Sequence, residues 1–178
     1  LGRPVGFCGT PDDRADLEAR GLTFVDDGYS DLAMAGLASG ETVSDYTDAL
    51  ARWHADDVLM HCLNPDRIVI HQGERMVCAG SLADAYEALG GRVCWYGKPY
   101  PSVYDYALGL TGSPAKEQVL AIGDGLQTDM LGAAAYGIDA VFVQGGIHAG
   151  EPIPADFSAR HHLDGWQPVA VVPTLGQA

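Results

Sequence analysis

Short apolar runs alternate along this chain with segments whose hydrophobic positions recur at helical spacing. Such alternation is typical of a mainly parallel sheet covered by helices, so the pattern predicts an α/β fold. The runs that predict strands are "PVGFC", "LTFV", "DLAMAGL", "DVLMHC", "RIVIH", "MVCAG", "VCWY", "QVLAIG", "AVFV" and "PVAVV". The segments that predict helices are "GTPDDRADLEARG", "SDYTDALARWHA", "SLADAYEALGG", "SVYDYALGL" and "TDMLGAAAYG".

Local signals mark the ends of several of these elements. Thr10 is placed as the N-cap of the first helix, with Pro11 at its first position and Gly21 as its stop. Ser81 is the expected N-cap of the third helix. The segment "QGER" between two apolar runs predicts a hairpin turn.

The two halves of the chain differ in regularity. From Arg92 onward, strand, loop and helix follow one another in regular βα units, whereas the first half is less uniform. We therefore predict a first domain over residues 1–91 and a second over residues 92–178. The sequence shows no internal repeat or low-complexity tract.

Composition narrows the classes of partner. Ten Lys plus Arg against 24 Asp plus Glu give a net charge of −14, which repels nucleic acid and anionic lipid. No apolar run approaches the roughly twenty residues that cross a bilayer, and the first residues lack the pattern of a signal peptide. We expect a soluble, cytoplasmic protein with a small-molecule ligand and no nucleic-acid or membrane partner.

Four cysteines lie in or beside apolar runs and show no CxxC spacing. We expect buried free thiols rather than a disulfide framework or a zinc site. They are Cys8, Cys62, Cys78 and Cys94.

The segment "GDGLQTD" carries the strongest chemical signal in the chain. Asp124 leaves a predicted strand between two glycines, and Asp129 lies in the first turn of the next helix. Carboxylates in such a loop suit Mg²⁺. The alternative is structural, with Thr128 capping the helix and Asp129 at its positive end, but that leaves Asp124 without a role.

Three other loops follow predicted strands or turns. Lys98 in "GKPYP" is one of two lysines and could bind a phosphate or neutralise nearby carboxylates, although it could also be an ordinary surface lysine. Asn64 and Asp66 in "LNPD" are typical of a turn. His148 in "GGIHAG" could touch a substrate, but a histidine in such a loop is more often only exposed.

The ordered set "NPD", "GKP", "GDGLQTDM" and "GGIHAG" closely resembles the haloacid dehalogenase-like (HAD) superfamily, class IIA, which includes sugar-phosphate, nucleotide and pyridoxal-phosphate phosphatases. The resemblance covers essentially the whole chain. It implies a Rossmann-like core with an inserted α/β cap, so that the first domain resembles the cap and the second resembles the C-terminal half of the core.

The resemblance also implies chemistry. It implies Mg²⁺-dependent hydrolysis of a small phosphorylated metabolite through an aspartyl-phosphate. Lys98 matches the catalytic lysine that steadies the nucleophile and the phosphoryl group, and Asp124 and Asp129 match the acidic metal-site residues. Asn64 and Asp66 would lie near the substrate.

The family's nucleophile lies in a DxD motif that this sequence does not contain. Because Lys98, Asp124 and Asp129 are all present, we expect a fragment of a longer phosphatase. Because no residue is placed to attack phosphorus, we expect this fragment to be inactive by itself. Two alternatives stay open: a catalytically dead binding or oligomerisation module, and an N-terminal half supplied by another polypeptide. A half-core would leave apolar faces uncovered, so a homo-oligomer is expected.

Overall fold

The computed structural model describes residues 4–71, 74–145 and 152–176. It divides the chain into two compact units, Leu1–Gly97 and Lys98–Ala178. Within the described ranges, no helix is long and apolar enough to cross a membrane. The division falls after Gly97 rather than after Gly91, because the strand Arg92–Trp95, which the prediction assigned to the second domain, pairs within the sheet of the first unit.

The first unit contains six strands and three α-helices in its described part. The strands are β1 (Val5–Cys8), β2 (Asp31–Met34), β3 (Leu59–Cys62), β4 (Ile68–His71), β5 (Glu74–Val77) and β6 (Arg92–Trp95). The helices are α1 (Pro11–Ala19), α2 (Thr47–Ala55), which follows a 3₁₀ turn at Val43–Tyr46, and α3 (Ala79–Ala88). Nearly every element coincides with a predicted one.

A four-stranded parallel sheet in the order β1-β2-β3-β6 forms the centre of this unit. Side chains alternate between its two faces, and Leu32 and Met60, which lie on the same face, are fully buried. Leu50 of α2 and Leu82 of α3 complete the core on that side. Tyr86 of α3 is also buried, and its hydroxyl donates to the carbonyl of Val58 at 2.7 Å.

The predicted ends of α1 are confirmed. Thr10 and Asp13 form a reciprocal capping box, with the Thr10 hydroxyl accepting from the Asp13 N–H at 3.2 Å. Gly21 follows the helix with a φ of +90°. The strand predicted at "LTFV" is wrong, since residues 22–25 form no strand and only the Val25 N–H reaches β1, at the carbonyl of Val5.

The hairpin of β4 and β5 is antiparallel as predicted, although the second strand begins at Glu74, within the segment that the prediction gave to the turn. The start of α3 differs too. Its N-cap is Cys78 rather than Ser81, and the Ser81 hydroxyl donates to the carbonyl of Arg67 at 2.8 Å. The serine therefore fastens the helix to the preceding loop instead of capping it.

Gly80 allows α3 to lie directly against the "NPD" loop. A Cβ at Gly80 would lie 2.4 Å from the Pro65 carbonyl oxygen and 2.6 Å from that of Asp66. Both neighbours are backbone atoms, which cannot rotate away. Only glycine fits this position.

We expect Gly80→Ala to lower the free energy of unfolding by roughly 3 kcal/mol, the upper part of the usual range for overpacking. Urea unfolding followed by circular dichroism measures this. The control is Gly109→Ala in a second-unit helix, where an added Cβ meets no atom within 4 Å. That change should be neutral or stabilising by up to about 1 kcal/mol. Equal effects of the two substitutions would contradict the packing argument.

All four cysteines are free, and Cys62 and Cys78 are buried, whereas Cys8 and Cys94 are partly exposed. Burial raises the pKa of the Cys8 thiol to about 11 and that of Cys62 to about 12. Desolvation causes both shifts, because the apolar surroundings disfavour the thiolate. These thiols therefore stay protonated in the folded chain at pH values where an unfolded chain would release the proton.

We expect the chain to lose stability in mild alkali. Above the ordinary thiol pKa, near 9, the unfolded chain binds fewer protons than the folded one, so the free energy of unfolding falls as pH rises. Because of the two thiols together, the free energy of unfolding should fall by roughly 2–3 kcal/mol between about pH 8 and about pH 10. Urea unfolding at both pH values measures the loss, and Cys62→Ala should reduce the slope. An unchanged slope in that variant would refute the assignment.

The second unit contains three strands in its described part, β7 (Leu120–Gly123), β8 (Asp139–Val143) and β9 (Ala170–Val172), all parallel and in that order. Its helices are α4 (Pro101–Leu110), a π-helical turn at Leu126–Met130, α5 (Leu131–Tyr136) and α6 (Phe157–Arg160), with a 3₁₀ turn at Lys116–Gln118. All three strands were predicted. The short α6, which packs Phe157 into the core, was not.

Candidate functional site

A lysine and a buried carboxylate meet in the second unit. Lys98 Nζ donates to Asp129 Oδ1 at 2.5 Å. The Asp129 side chain is only 10% exposed, whereas that of Lys98 is 51% exposed. The other oxygen of Asp129, Oδ2, accepts from the Gly125 N–H at 3.0 Å. A carboxylate held in this way is fixed in orientation and partly neutralised, while the lysine stays accessible.

Two glycines make room for this carboxylate. A Cβ at Gly123 would lie 2.1 Å from Asp129 Cγ, and one at Gly125 would lie 2.1 Å from Thr128 Oγ1 and 3.1 Å from Asp129 Oδ2. Neither distance is compatible with a side chain. Gly123 is therefore required by the close approach of Asp129 to the end of β7, and Gly125 mainly by the close approach of Thr128.

The backbone after β7 turns through the π-helical segment that carries Asp129. The N–H groups of Asp129 and Met130 both donate to the Gly125 carbonyl, at 2.9 Å and 3.0 Å. Helical structure starts at Leu126, so Thr128 lies inside the turn and is not an N-cap. The structural alternative for this segment is therefore wrong in its capping residue.

Asp124 lies in the bend that directly follows β7 and is half-buried. In the part of the chain that the structure describes, no group of three or more His, Cys, Asp or Glu side chains is arranged to hold a metal ion. The donor set at this loop is thus two carboxylates, one of which binds Lys98. That set fits Mg²⁺, which usually keeps several waters and takes one or two protein carboxylates.

Tyr104 of α4 lies close enough to Asp129 to feel its charge, and the sequence did not predict this. Its hydroxyl is buried and has no hydrogen-bond partner among the described residues. A Cβ added at Gly132 would lie 2.2 Å from this hydroxyl oxygen. Its ring stacks on Tyr136 with centroids 5.0 Å apart. Burial, and secondarily the charge of Asp129, raises the pKa of Tyr104 to about 12. The apolar spacing of α4 contained no signal for this role.

The "NPD" residues form a turn in the first unit that side-chain hydrogen bonds stabilise. The Asn64 side-chain oxygen accepts from the Asp66 N–H at 3.1 Å, as expected for a turn of this sequence. Arg67 donates to the Pro65 carbonyl at 2.9 Å and to both carboxylate oxygens of Asp84. Asn64 and Asp66 belong to one unit and Lys98, Asp124 and Asp129 to the other. His148 lies outside the described residues.

Comparison with known proteins supports the resemblance seen in the sequence. The family described as HAD-hydrolase-like matches residues 95–178. This match confirms that the chain is similar to the HAD-like hydrolases. The chain is also 32% identical over 109 residues to a cardiolipin synthase (CMP-forming)/mitochondrial hydrolase fusion protein of Schizosaccharomyces pombe, covering 55% of the chain and 18% of that protein.

Solved HAD-like structures match most of the chain. A haloacid dehalogenase-like hydrolase from Brucella suis is 33% identical with a TM-score of 0.72, over 83% of this chain and 59% of that one. A p-nitrophenyl phosphatase from Archaeoglobus fulgidus is 26% identical with a TM-score of 0.75, and the match covers 97% of this chain and 64% of that one. The chain thus has the predicted HAD-like α/β fold, and it spans 59% and 64% of the lengths of these two structures.

Proposed function

We propose that this HAD-like chain serves Mg²⁺-dependent hydrolysis of a small phosphorylated metabolite. The observation that carries the proposal is the contact between Lys98 and the buried Asp129 beside Asp124 at the end of β7. The similarity to a p-nitrophenyl phosphatase supports the reaction class. The net charge of −14 favours a small ligand over nucleic acid. We also propose a cytoplasmic location, because free thiols are typical of a reducing compartment.

The proposed roles follow from the contacts. Asp124 would offer a hard oxygen ligand to Mg²⁺, with Asp129 the second acidic residue of the metal site. Bound Mg²⁺ would offset the charge of the phosphoryl oxygens. Lys98, held by Asp129 but half-exposed, would direct its remaining N–H groups at a phosphoryl oxygen. Asn64 and Asp66 are proposed to contact the substrate.

The proposed reaction needs a nucleophilic aspartate as well. The aspartate would attack phosphorus as the ester P–O bond breaks, a general acid would give its proton to the leaving alkoxide, and water would then hydrolyse the aspartyl-phosphate. Because the sequence contains no DxD motif, we propose that this residue comes from a segment outside these 178 residues. The division into a cap and a half-core is part of the same proposal.

The metal site can be tested on the chain itself. We expect saturable Mg²⁺ binding by isothermal titration calorimetry, with Asp124→Asn reducing the affinity at least tenfold, or about 1.4 kcal/mol. The matched control is Glu117→Gln, which removes one exposed carboxylate of the same unit and should leave binding unchanged. Equal Mg²⁺ binding by the Asp124→Asn variant would refute the proposed ligand.

The reaction class needs a separate assay. Phosphate release from 4-nitrophenyl phosphate should be absent with the 178-residue chain and should appear when a protein extended upstream supplies a DxD segment. Release by the chain alone that survives Asp124→Asn would contradict the proposed mechanism. A stop codon directly upstream of the coding sequence would favour the non-catalytic module instead.

Exposed apolar side chains on β7 favour self-association. Leu120 and Ile122 are 51% and 53% exposed, and in the described part of the chain β7 pairs only with β8. An apolar strand at a sheet edge readily pairs with another chain. We expect the sedimentation coefficient to rise with protein concentration, and Ile122→Lys to suppress the rise. Leu175→Lys, which also replaces an exposed apolar residue, is the control. A concentration-independent monomer would refute self-association.

A further inference from the structure

The first unit carries a connected set of polar side chains that the proposed hydrolysis does not use. Asp31 lies on β2, His61 lies on the neighbouring β3, and Tyr96 directly follows the next strand, β6. Asp31 and His61 alternate with the core residues Leu32 and Met60, so they lie on the face of the sheet opposite α2 and α3. The three side chains form a row on that face.

Hydrogen bonds link the row. His61 Nε2 lies 3.1 Å from Asp31 Oδ1, and His61 Nδ1 lies 2.9 Å from the Tyr96 hydroxyl. The Ser30 hydroxyl donates to the second oxygen of Asp31 at 2.8 Å. A carboxylate only accepts, which assigns the ring proton to Nε2 and leaves Nδ1 of the neutral ring as an acceptor. Tyr96 therefore donates its O–H to Nδ1, and its oxygen keeps free lone pairs.

An apolar cavity of about 190 Å³ lies beside this row. Asp31, His61 and Tyr96 line it together with Val5, Leu22, Ala33 and Leu63. An apolar cavity of about 150 Å³ is large enough to bind benzene, so this one can take a single six-membered ring with a small substituent. The cavity combines an apolar body with polar groups at one wall, as small-molecule sites commonly do.

We propose that this cavity binds a single-ring aromatic ligand that carries a hydrogen-bond donor, of the phenol class. The ring packs against Val5, Leu22 and Leu63. Its hydroxyl donates to the oxygen of Tyr96, which the His61–Asp31 chain holds in the accepting orientation. The site lies within the first unit and is independent of the proposed phosphatase reaction.

The test compares phenol with anisole, its methyl ether, which has the same ring and no donor. Each is titrated into the ¹⁵N-labelled 178-residue chain and followed by NMR. We expect phenol to shift the amide signals of Ala33, His61 and Tyr96 saturably and to bind roughly three- to tenfold more tightly than anisole, the usual value of one hydrogen bond. Equal affinities, shifts scattered over the surface, or no saturation would overturn the proposal.

Variants test the assigned atoms. Tyr96→Phe removes the acceptor and should lower the affinity for phenol to that for anisole. The control is Tyr106→Phe, which changes an exposed tyrosine of the second unit and should leave both affinities unchanged. Leu22→Trp fills the cavity from a loop and should abolish binding of both ligands. Retained preference for phenol in a folded Tyr96→Phe variant would overturn the role of Tyr96. If that variant does not fold, the phenol and anisole comparison still decides.

Discussion

Gly123→Ala is expected to abolish cooperative folding of the second unit, with a loss of more than about 4 kcal/mol, the range reached only by severe structural defects. The added methyl group would lie 2.1 Å from Asp129 Cγ, 2.4 Å from its Oδ2 and 2.5 Å from its Cβ. Asp129 cannot swing aside without breaking its contacts with Lys98 and the Gly125 N–H. The clash therefore falls on the buried carboxylate of the proposed site.

Thermal unfolding of the variant, followed by circular dichroism and by the NMR amide signals of the second unit, measures the effect in this unit. The second substitution that isolates the cause is Asp129→Gly, which removes the three atoms that would lie nearest to the new methyl group. Gly123→Ala should cost much less in that background than in the parent chain. The same cost in both backgrounds would place the strain elsewhere than on Asp129.

The elements most fully predicted from the sequence are those fixed by neighbouring residues. Thr10, Pro11 and Gly21 set the ends of α1 through local hydrogen bonds and backbone preferences, and the structure confirms them. Ser81 shows where local signals fail, because the carbonyl of Arg67 takes its hydroxyl and the helix starts earlier. At "LTFV" an apolar run without a full strand partner stays outside the sheet.

The site shows the same division between local and distant causes. Lys98, Asp124 and Asp129 stand out in the sequence because charged residues follow apolar strands. The roles of Gly123 and Gly132 could not be predicted, because each depends on a side chain that folding brings close, Asp129 for the first and Tyr104 for the second. The π-helical turn is equally a product of packing, since its sequence predicts an ordinary helix start at Thr128.

Lys98→Met is expected to act on stability and on metal binding in opposite directions. It leaves the Asp129 carboxylate, only 10% exposed, with its hydrogen bond from the Gly125 N–H but without its cation, so the free energy of unfolding should fall by about 1–2 kcal/mol. This is less than for a fully buried pair, because the lysine is half-exposed. A double-mutant cycle with Asp129→Asn should show that the two losses are not additive.

The same substitution removes a cation that competes with Mg²⁺ for the carboxylates. Mg²⁺ should therefore bind to the Lys98→Met chain more tightly, by roughly five- to tenfold, the usual size of a coupling of about 1 kcal/mol between nearby charges. Isothermal titration calorimetry with MgCl₂ measures it, with Lys116→Met, which removes the other lysine, as the control. Weaker Mg²⁺ binding after Lys98→Met would contradict competition and would mean that the lysine organises the metal site. In that case the lysine would favour Mg²⁺ binding more by fixing the orientation of Asp129 than it opposes binding by charge repulsion.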